Sequence, residues 1–368
     1  MTGFFVVPGA LRSYADTLSA AATNGGINLA TDFFNTAPPY VDKYLAVDRT
    51  SGLSDLFEVI LSSNETLVTN VKDTYSTVGM RMSMSGLALA DSADLYETTD
   101  DEANARMDKL WPGAGKVPEL DSGAGGGKVA EAAGPLNAVP SDDVLIPDPV
   151  HWIMDQAGWF SVGDNLLKIA NIFGLDPASS LTKLLAGDYG LVARAGHAAT
   201  ALADFERNVA ESMAAGLTTM TTQWTGHAAD QATSYFTQFV NAFEDHASQL
   251  DEVASKYAEI AQALAQVAEL LGGLLATALD KLLICLAKLA AAGCLAEIPG
   301  VNVIAGIIGA YSVWQAKEAV AAFLKATSVM ADTCEAVVAL AVGISGLCTS
   351  GSADAAFPAV TYANGAQK

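Results

Sequence analysis

The sequence predicts an all-α fold: an elongated helical bundle from two antiparallel hairpins, plus additional apolar C-terminal helices. Three observations carry this. Ala and Leu dominate a chain that is 51% apolar and only 8% aromatic, and these two residues carry the least helix penalty. Apolar rows recur every eleven residues between positions 56 and 93, and an a/d seam runs from 236 to 274. Period-two runs of β-branched residues are scarce, so no sheet is expected.

In chain order, Pro8 to Asn35 reads as helix, with Pro8 in its first turn and Leu11, Tyr14, Ala15, Leu18 and Ala22 as its apolar stripe. Asn24-Gly25-Gly26 marks a kink or end. Residues 36–52, with Pro38-Pro39 and Ser51-Gly52, read as a loop holding at most a short helical turn. A long helix follows from Leu53 to about Leu110. Its two rows are Leu56, Leu67, Val78, Leu89 and Ile60, Val71, Met82, Ala93. Eleven residues over three turns is the period of a nearly straight, slightly right-handed packed helix. The two segments make the first hairpin, 1–110.

Residues 111–149 hold half the prolines of the chain and the run Gly123-Ala124-Gly125-Gly126-Gly127, which reads as a flexible linker. Residues 150–349 form the second helical domain. Two short amphipathic helices occupy 150–187, the second starting at Asp176-Pro177. A helix from Leu191 to Thr222 meets a turn at Trp224-Thr225-Gly226, and another starts near Ala228. The latter carries the row Phe236, Phe243, Leu250, Tyr257, Leu264, Leu271. Its companion row is Phe239, His246, Val253, Ile260, Val267, Leu274. Beyond 275 come an apolar stretch interrupted by Asp280, Lys281 and Lys288, a turn at Pro299-Gly300-Val301-Asn302, a helix from about Val303 to Lys325 or beyond, and the apolar run Ala336–Gly346. The tail 350–368 is expected to be flexible.

The net charge of −22, from 41 acidic and 19 basic residues, repels phosphate backbones, and no basic patch offsets it. Nucleic acid is therefore not an expected partner. Met1 to Pro8 has neither a basic n-region nor a long apolar h-region, so a Sec signal is not expected there. Cys285, Cys294, Cys334 and Cys348 lack C-x-x-C or zinc-ligand spacing. Two readings stay open: buried small hydrophobes, or one or two disulfides.

Catalytic patterns are absent from the sequence. Its four histidines, His151, His197, His227 and His246, form no H-E-x-x-H, and there is no G-x-S-x-G elbow and no Walker loop. His246 reads as a core histidine in the seam, with burial disfavouring its charged form. Asp100, Asp101 and Glu102 read as a solvated helix face, with Glu102 paired to Arg106. No enzyme activity, cofactor or metal is expected.

Two short motifs remain. Tyr96 and Asp100 stand at i and i+4 late on a long helix, an aromatic plate beside a carboxylate. Trp224-Thr225-Gly226 joins two other long helices. There Gly226 tolerates a sharp turn, and Trp224 covers the hairpin end with a large apolar face.

With these residues the chain resembles substrates of the actinobacterial type VII (ESX) secretion system. Residues 4–110 resemble the EspC-like hairpin with its Y-x-x-x-D export signal at Tyr96 and Asp100. Residues 188–271 resemble the WxG hairpins, with Trp224 and Gly226 at the turn. The order of the two hairpins is similar to EspB-like and fused PE–PPE proteins, and to the N-terminal part of channel-forming toxins of the same class. The resemblance implies a four-helix bundle that brings Tyr96 and Asp100 near the Trp224 turn. It further implies recognition of that end by the secretion ATPase, a cytosolic chaperone over the apolar tip, and a secreted or cell-surface destination. The expected role is a non-catalytic virulence or structural factor, with self-association and membrane contact as open expectations. Two alternatives stand beside it: a channel-forming carrier whose helices at 275–349 enter a membrane, and an intracellular helical adaptor.

Overall fold

The structure, a computed structural model, describes residues 5–19, 28–48, 54–110, 132–143, 148–158, 179, 181–182, 185–291, 310–348 and 357–358. At 100–110, 282, 285–291 and 310–316 the description covers the backbone alone. The chain is all-α, with a single small β element among the described residues.

Strand β1 (Phe5–Val6) leads into α1 (Pro8–Leu18), with Pro8 at its start. Helix resumes at α2 (Leu29–Thr31), capped by the Asn28 side chain, which accepts from the Thr31 amide. It then passes through a π-helical turn (Asp32–Thr36), α3 (Ala37–Tyr40) and a second π-helical turn (Val41–Leu45). The loop expected at 36–52 is therefore helical as far as Leu45. Pro38 and Pro39 lack N–H donors, and their rings would strike carbonyls one turn back. The wider turns beside them relieve this, because Ala37 N–H reaches back five residues to Asp32 O and Ala46 N–H to Val41 O. The kink expected at Asn24-Gly25-Gly26 lies outside the described residues.

Helix α4 (Asp55–Leu110) spans 56 residues, about 84 Å at 1.5 Å per residue. Both eleven-residue rows are buried along their whole length. Helices α5 (Pro149–Gln156), α6 (Tyr189–Gln223), α7 (His227–Ala291) and α8 (Ala310–Ser345) follow. Asp148 caps α5 by accepting from the His151 amide. The apolar stretch from 275 continues α7, while the described part of the helix expected from Val303 and the run Ala336–Gly346 form one helix, α8, because no Gly or Pro interrupts residues 310–342.

Cross-helix pairs fix the register. Phe57 meets Tyr189, Tyr75 meets Phe205, and Tyr96 meets Trp224, so α4 runs parallel to α6. Asn64 bonds Tyr257 and Ser85 bonds Tyr235, so α4 runs antiparallel to α7. The 8–45 segment returns along α4, with Arg12 at Asp94 and Asp42 at Lys72. These four strands of helix form a bundle. Helix α8 lies antiparallel on α7, through Lys281 with Glu318 and Gln249 with Cys348.

The core is one apolar cluster along the bundle axis. Phe33 anchors its middle against Tyr75, Phe205 and Phe243. All a/d positions of the α7 seam are buried except Leu274, which is half-buried. Within the stretch expected as linker, residues 132–136 pack in part, while 137–139 and 141–143 are exposed. Ala132 and Leu136 are buried, and a 3-10 turn at Gly134–Asn137 lies on α6. Residues 111–131 and 144–147 of that stretch, the helix start at Asp176-Pro177, the turn at Pro299-Gly300 and most of the tail lie outside the described residues. Cys334 is half-buried and Cys348 buried, both as free thiols; the Cys285 side chain and Cys294 are not described.

Candidate recognition surface

The end of the bundle at the α6–α7 turn gathers β1, the start of α1 and the late part of α4. Trp224 and Thr225 form strand β2, which pairs antiparallel with β1: Phe5 opposite Thr225 and Val6 opposite Trp224. The Val7 amide extends the pairing by donating to Gln223 O at 2.9 Å. The expectation of no sheet is corrected to this extent. A pair this short satisfies backbone groups that leave α6 before α7 begins. Val6 and Val7, β-branched and directly ahead of the helix-starting Pro8, were the available sequence signal.

Gly226 has φ +119°, a region L-residues rarely adopt, so the turn requires glycine here. Its carbonyl accepts the Asp230 amide at 3.0 Å and starts α7. Trp224 is 1% exposed, its indole wedged into the end of the core. Tyr96, half-buried, presents its ring edge to that indole at 6.2 Å between centroids and 66° between planes. Burial pushes the Tyr96 phenol up, and the Trp224 N–H beside it pulls it part of the way back.

The structure thus places Tyr96, Trp224 and Gly226 at one end. Asp100 follows one turn later on the α4 backbone, but its side chain lies outside the described residues. Sequence reasoning missed Arg12. Its guanidinium bonds Asp94 Oδ1 at 2.6 Å through one amino nitrogen, which also contacts Glu97, and at 3.1 Å through Nε. Those two carboxylates hold the guanidinium pKa above its ordinary value. They lie either side of Tyr96 in sequence, so the bridge ties α1 to the turn of α4 that carries it. No local signal marks such a pair, since 82 residues separate Arg12 from Asp94.

Deeper in the bundle, His246 Nδ1 donates to both oxygens of Glu206 at 2.8 Å, both side chains being buried. Burial acts to lower the His246 pKa, as the sequence argument held. The Glu206 carboxylate and the Cys348 thiol override it and raise the value to about 10. The expectation that burial disfavours the charged form is corrected by a partner 40 residues upstream. The pair lies among Tyr75, Phe357 and the seam residues, far from solvent. Cross-bracing is its evident task, joining α6 to α7 at mid-length.

Chemically, the bundle end offers a rigid surface: an aromatic edge at Tyr96, carboxylates at Asp94 and Glu97, and the exposed Phe5 ring on the strand. Such a surface suits docking by a partner. No protein-family model, no curated protein and no solved structure matches this chain.

Proposed function

We propose that this chain is a substrate of a type VII (ESX) secretion system, exported to the cell surface or medium as a non-catalytic structural or virulence factor. The observation that supports the reading is the edge-to-face contact of Tyr96 with Trp224. Two motifs 128 residues apart in sequence share one end of one bundle. The Phe5–Val6 strand and the Arg12 bridge fix that end, giving a receptor a pre-ordered target rather than a frayed helix terminus. In this reading the secretion ATPase docks on the end of α4 through Tyr96 and Asp100, and a cytosolic chaperone covers the apolar tip until export.

The test is export itself. Tyr96→Ala and Asp100→Asn variants, expressed in an actinobacterial host with an active type VII system, are expected to accumulate in cells and vanish from culture filtrate. Tyr96→Phe, which keeps the ring, is expected to be exported. Unchanged export of both signal variants would sink the proposal.

One observation favours a second reading, membrane contact. The Lys317–Ser345 part of α8 is apolar enough to cross a bilayer, and only 22% of its most apolar window is buried. Leakage of dye from liposomes, compared between the full chain and a chain ending at Leu271, decides it. Equal leakage would remove the α8 reading.

A further inference from the structure

The outward face of α4 changes character halfway along. Its exposed line begins polar, at Ser62, Thr66, Thr69 and Asp73. From there it becomes apolar: Met80 is 53% exposed, Met84 50%, Leu87 47% and Leu95 42%. Met80, Met84 and Leu87 follow one another at helical spacing, and Leu95 resumes the same line two turns on, past the exposed Asp91. From Met80 to Leu95 the stripe is about 22 Å long, four turns of helix. It faces away from the core, because the rows of α4 that pack inward lie on the opposite side of the helix. Apolar side chains this exposed are unremarkable singly, whereas several aligned on one face mark a contact surface.

The charges around the stripe select its occupant. Asp73 and Asp91 stand in the same line, before and within it, and both are exposed. Asp94 borders it beside Leu95, sharing the Arg12 guanidinium with Glu97. Arg81, on the opposite edge, is engaged with the Phe357 carbonyl at 3.5 Å. Asp73, Asp91, Asp94 and Glu97 outnumber the guanidiniums of Arg12 and Arg81, so the rim carries a net negative charge on a chain whose net charge is −22. A second copy laid face to face would bring like charges together, and an anionic lipid surface would be repelled.

We infer that the Met80–Leu95 stripe of α4 is a docking surface for an amphipathic helix of a partner protein, with a Leu-type apolar face flanked by Lys or Arg. The apolar residues supply the contact area and methionine adapts to its shape. The aspartates set the polarity and speed association. This surface stands apart from the export reading, since peptide binding in solution requires no secretion machinery.

The test uses the full chain and three fluorescein-labelled 18-residue helical peptides. One has a Leu face flanked by Lys, the second the same face flanked by Glu, and the third Ser in place of Leu with the Lys retained. Fluorescence anisotropy is expected to show the Leu/Lys peptide binding at least tenfold more tightly than either other. Met84→Gln with Leu87→Gln, which leaves the charge unchanged, is expected to weaken that binding at least tenfold without altering the thermal midpoint. Met80→Gln with Leu95→Gln, at the two ends of the stripe, serves as the second variant. Asp73→Asn with Asp91→Asn is expected to flatten the salt dependence. Equal binding of the Ser/Lys peptide would reduce the effect to bulk charge and overturn the inference. So would wild-type binding by both Gln variants, or a wild-type dimer that the Gln substitutions dissociate in sedimentation.

Discussion

The Tyr96 ring stands edge-on to the Trp224 indole, 6.2 Å between centroids, joining the late part of α4 to the turn between α6 and α7. Edge-to-face pairs add about 0.5–1.5 kcal/mol beyond the area they bury. A double-mutant cycle with Tyr96→Ala and Trp224→Ala is expected to return a coupling of that size. The fully buried Trp224 alone should cost about 3–5 kcal/mol and the half-buried Tyr96 less. Urea unfolding measures all four corners. A coupling near zero would mean that the two rings do not meet in solution.

Arg12 makes a different kind of link. Its side chain is 38% exposed, and its partners Asp94 and Glu97 more so. Solvent screening holds exposed pairs to about 0.2–1 kcal/mol, so Arg12→Ala is expected to lower stability only slightly. The loss should shrink further in 1 M salt, where the screening length falls to about 3 Å. Comparison of urea midpoints at low and high salt checks this. A loss that persists at high salt would assign Arg12 a packing role instead.

What was legible in the sequence, and what was not, follows from range. The rows Leu56–Leu89 and Phe236–Leu271 are periodic within one helix, and a periodic face must be buried somewhere. Trp224 at a hairpin end was legible too, because a Gly after a long helical pattern is a stop signal. Glu206 was not, since a lone acid on an Ala-rich helix reads as solvated until His246 is placed against it. The β1–β2 pair is two residues long on each side and carries no period at all. Pro38-Pro39 misled for a specific reason: proline ends an α-helix but not one that widens to π turns beside it.

Asn64 ties three elements at the far end of the first hairpin. Its Oδ1 accepts the Val47 amide at 2.9 Å, and its Nδ2 donates to Leu45 O at 2.9 Å and to the Tyr257 hydroxyl at 2.7 Å. The backbone leaving the 29–45 helix has lost its helical partners there, so the side chain completes it. Asn64→Ala would orphan a buried N–H and a buried C=O, at about 1–3 kcal/mol each. Tyr257→Phe removes only one partner of Nδ2 and should cost less. Equal losses would show that the α7 contact, and not the cap, dominates.

The buried Glu206–His246 pair carries a pH signature whose sign is fixed. The folded pKa of His246 is raised to about 10, against about 6.5 in an unfolded chain. The folded state thus holds a proton that the unfolded state has released between these values. The contribution is complete below about pH 6.5 and is lost as pH rises toward 10, at up to about 1.4 kcal/mol per unit. Tyr75, the phenol beside Glu206, is raised well above its ordinary value by burial and by that carboxylate, and stays neutral across this window. The Cys348 thiol also faces the imidazole, so the comparison is best made in a Cys348→Ser background. In that background, urea unfolding at pH 6, 8 and 9.5 is expected to show stability falling steadily. His246→Gln should lower stability at pH 6 by about 3–5 kcal/mol, because it leaves Glu206 buried without its counter-charge. It should also abolish most of the fall, so that the two proteins converge toward pH 9.5. Parallel curves would mean that His246 is neutral in the folded state and that the pair is an ordinary hydrogen bond.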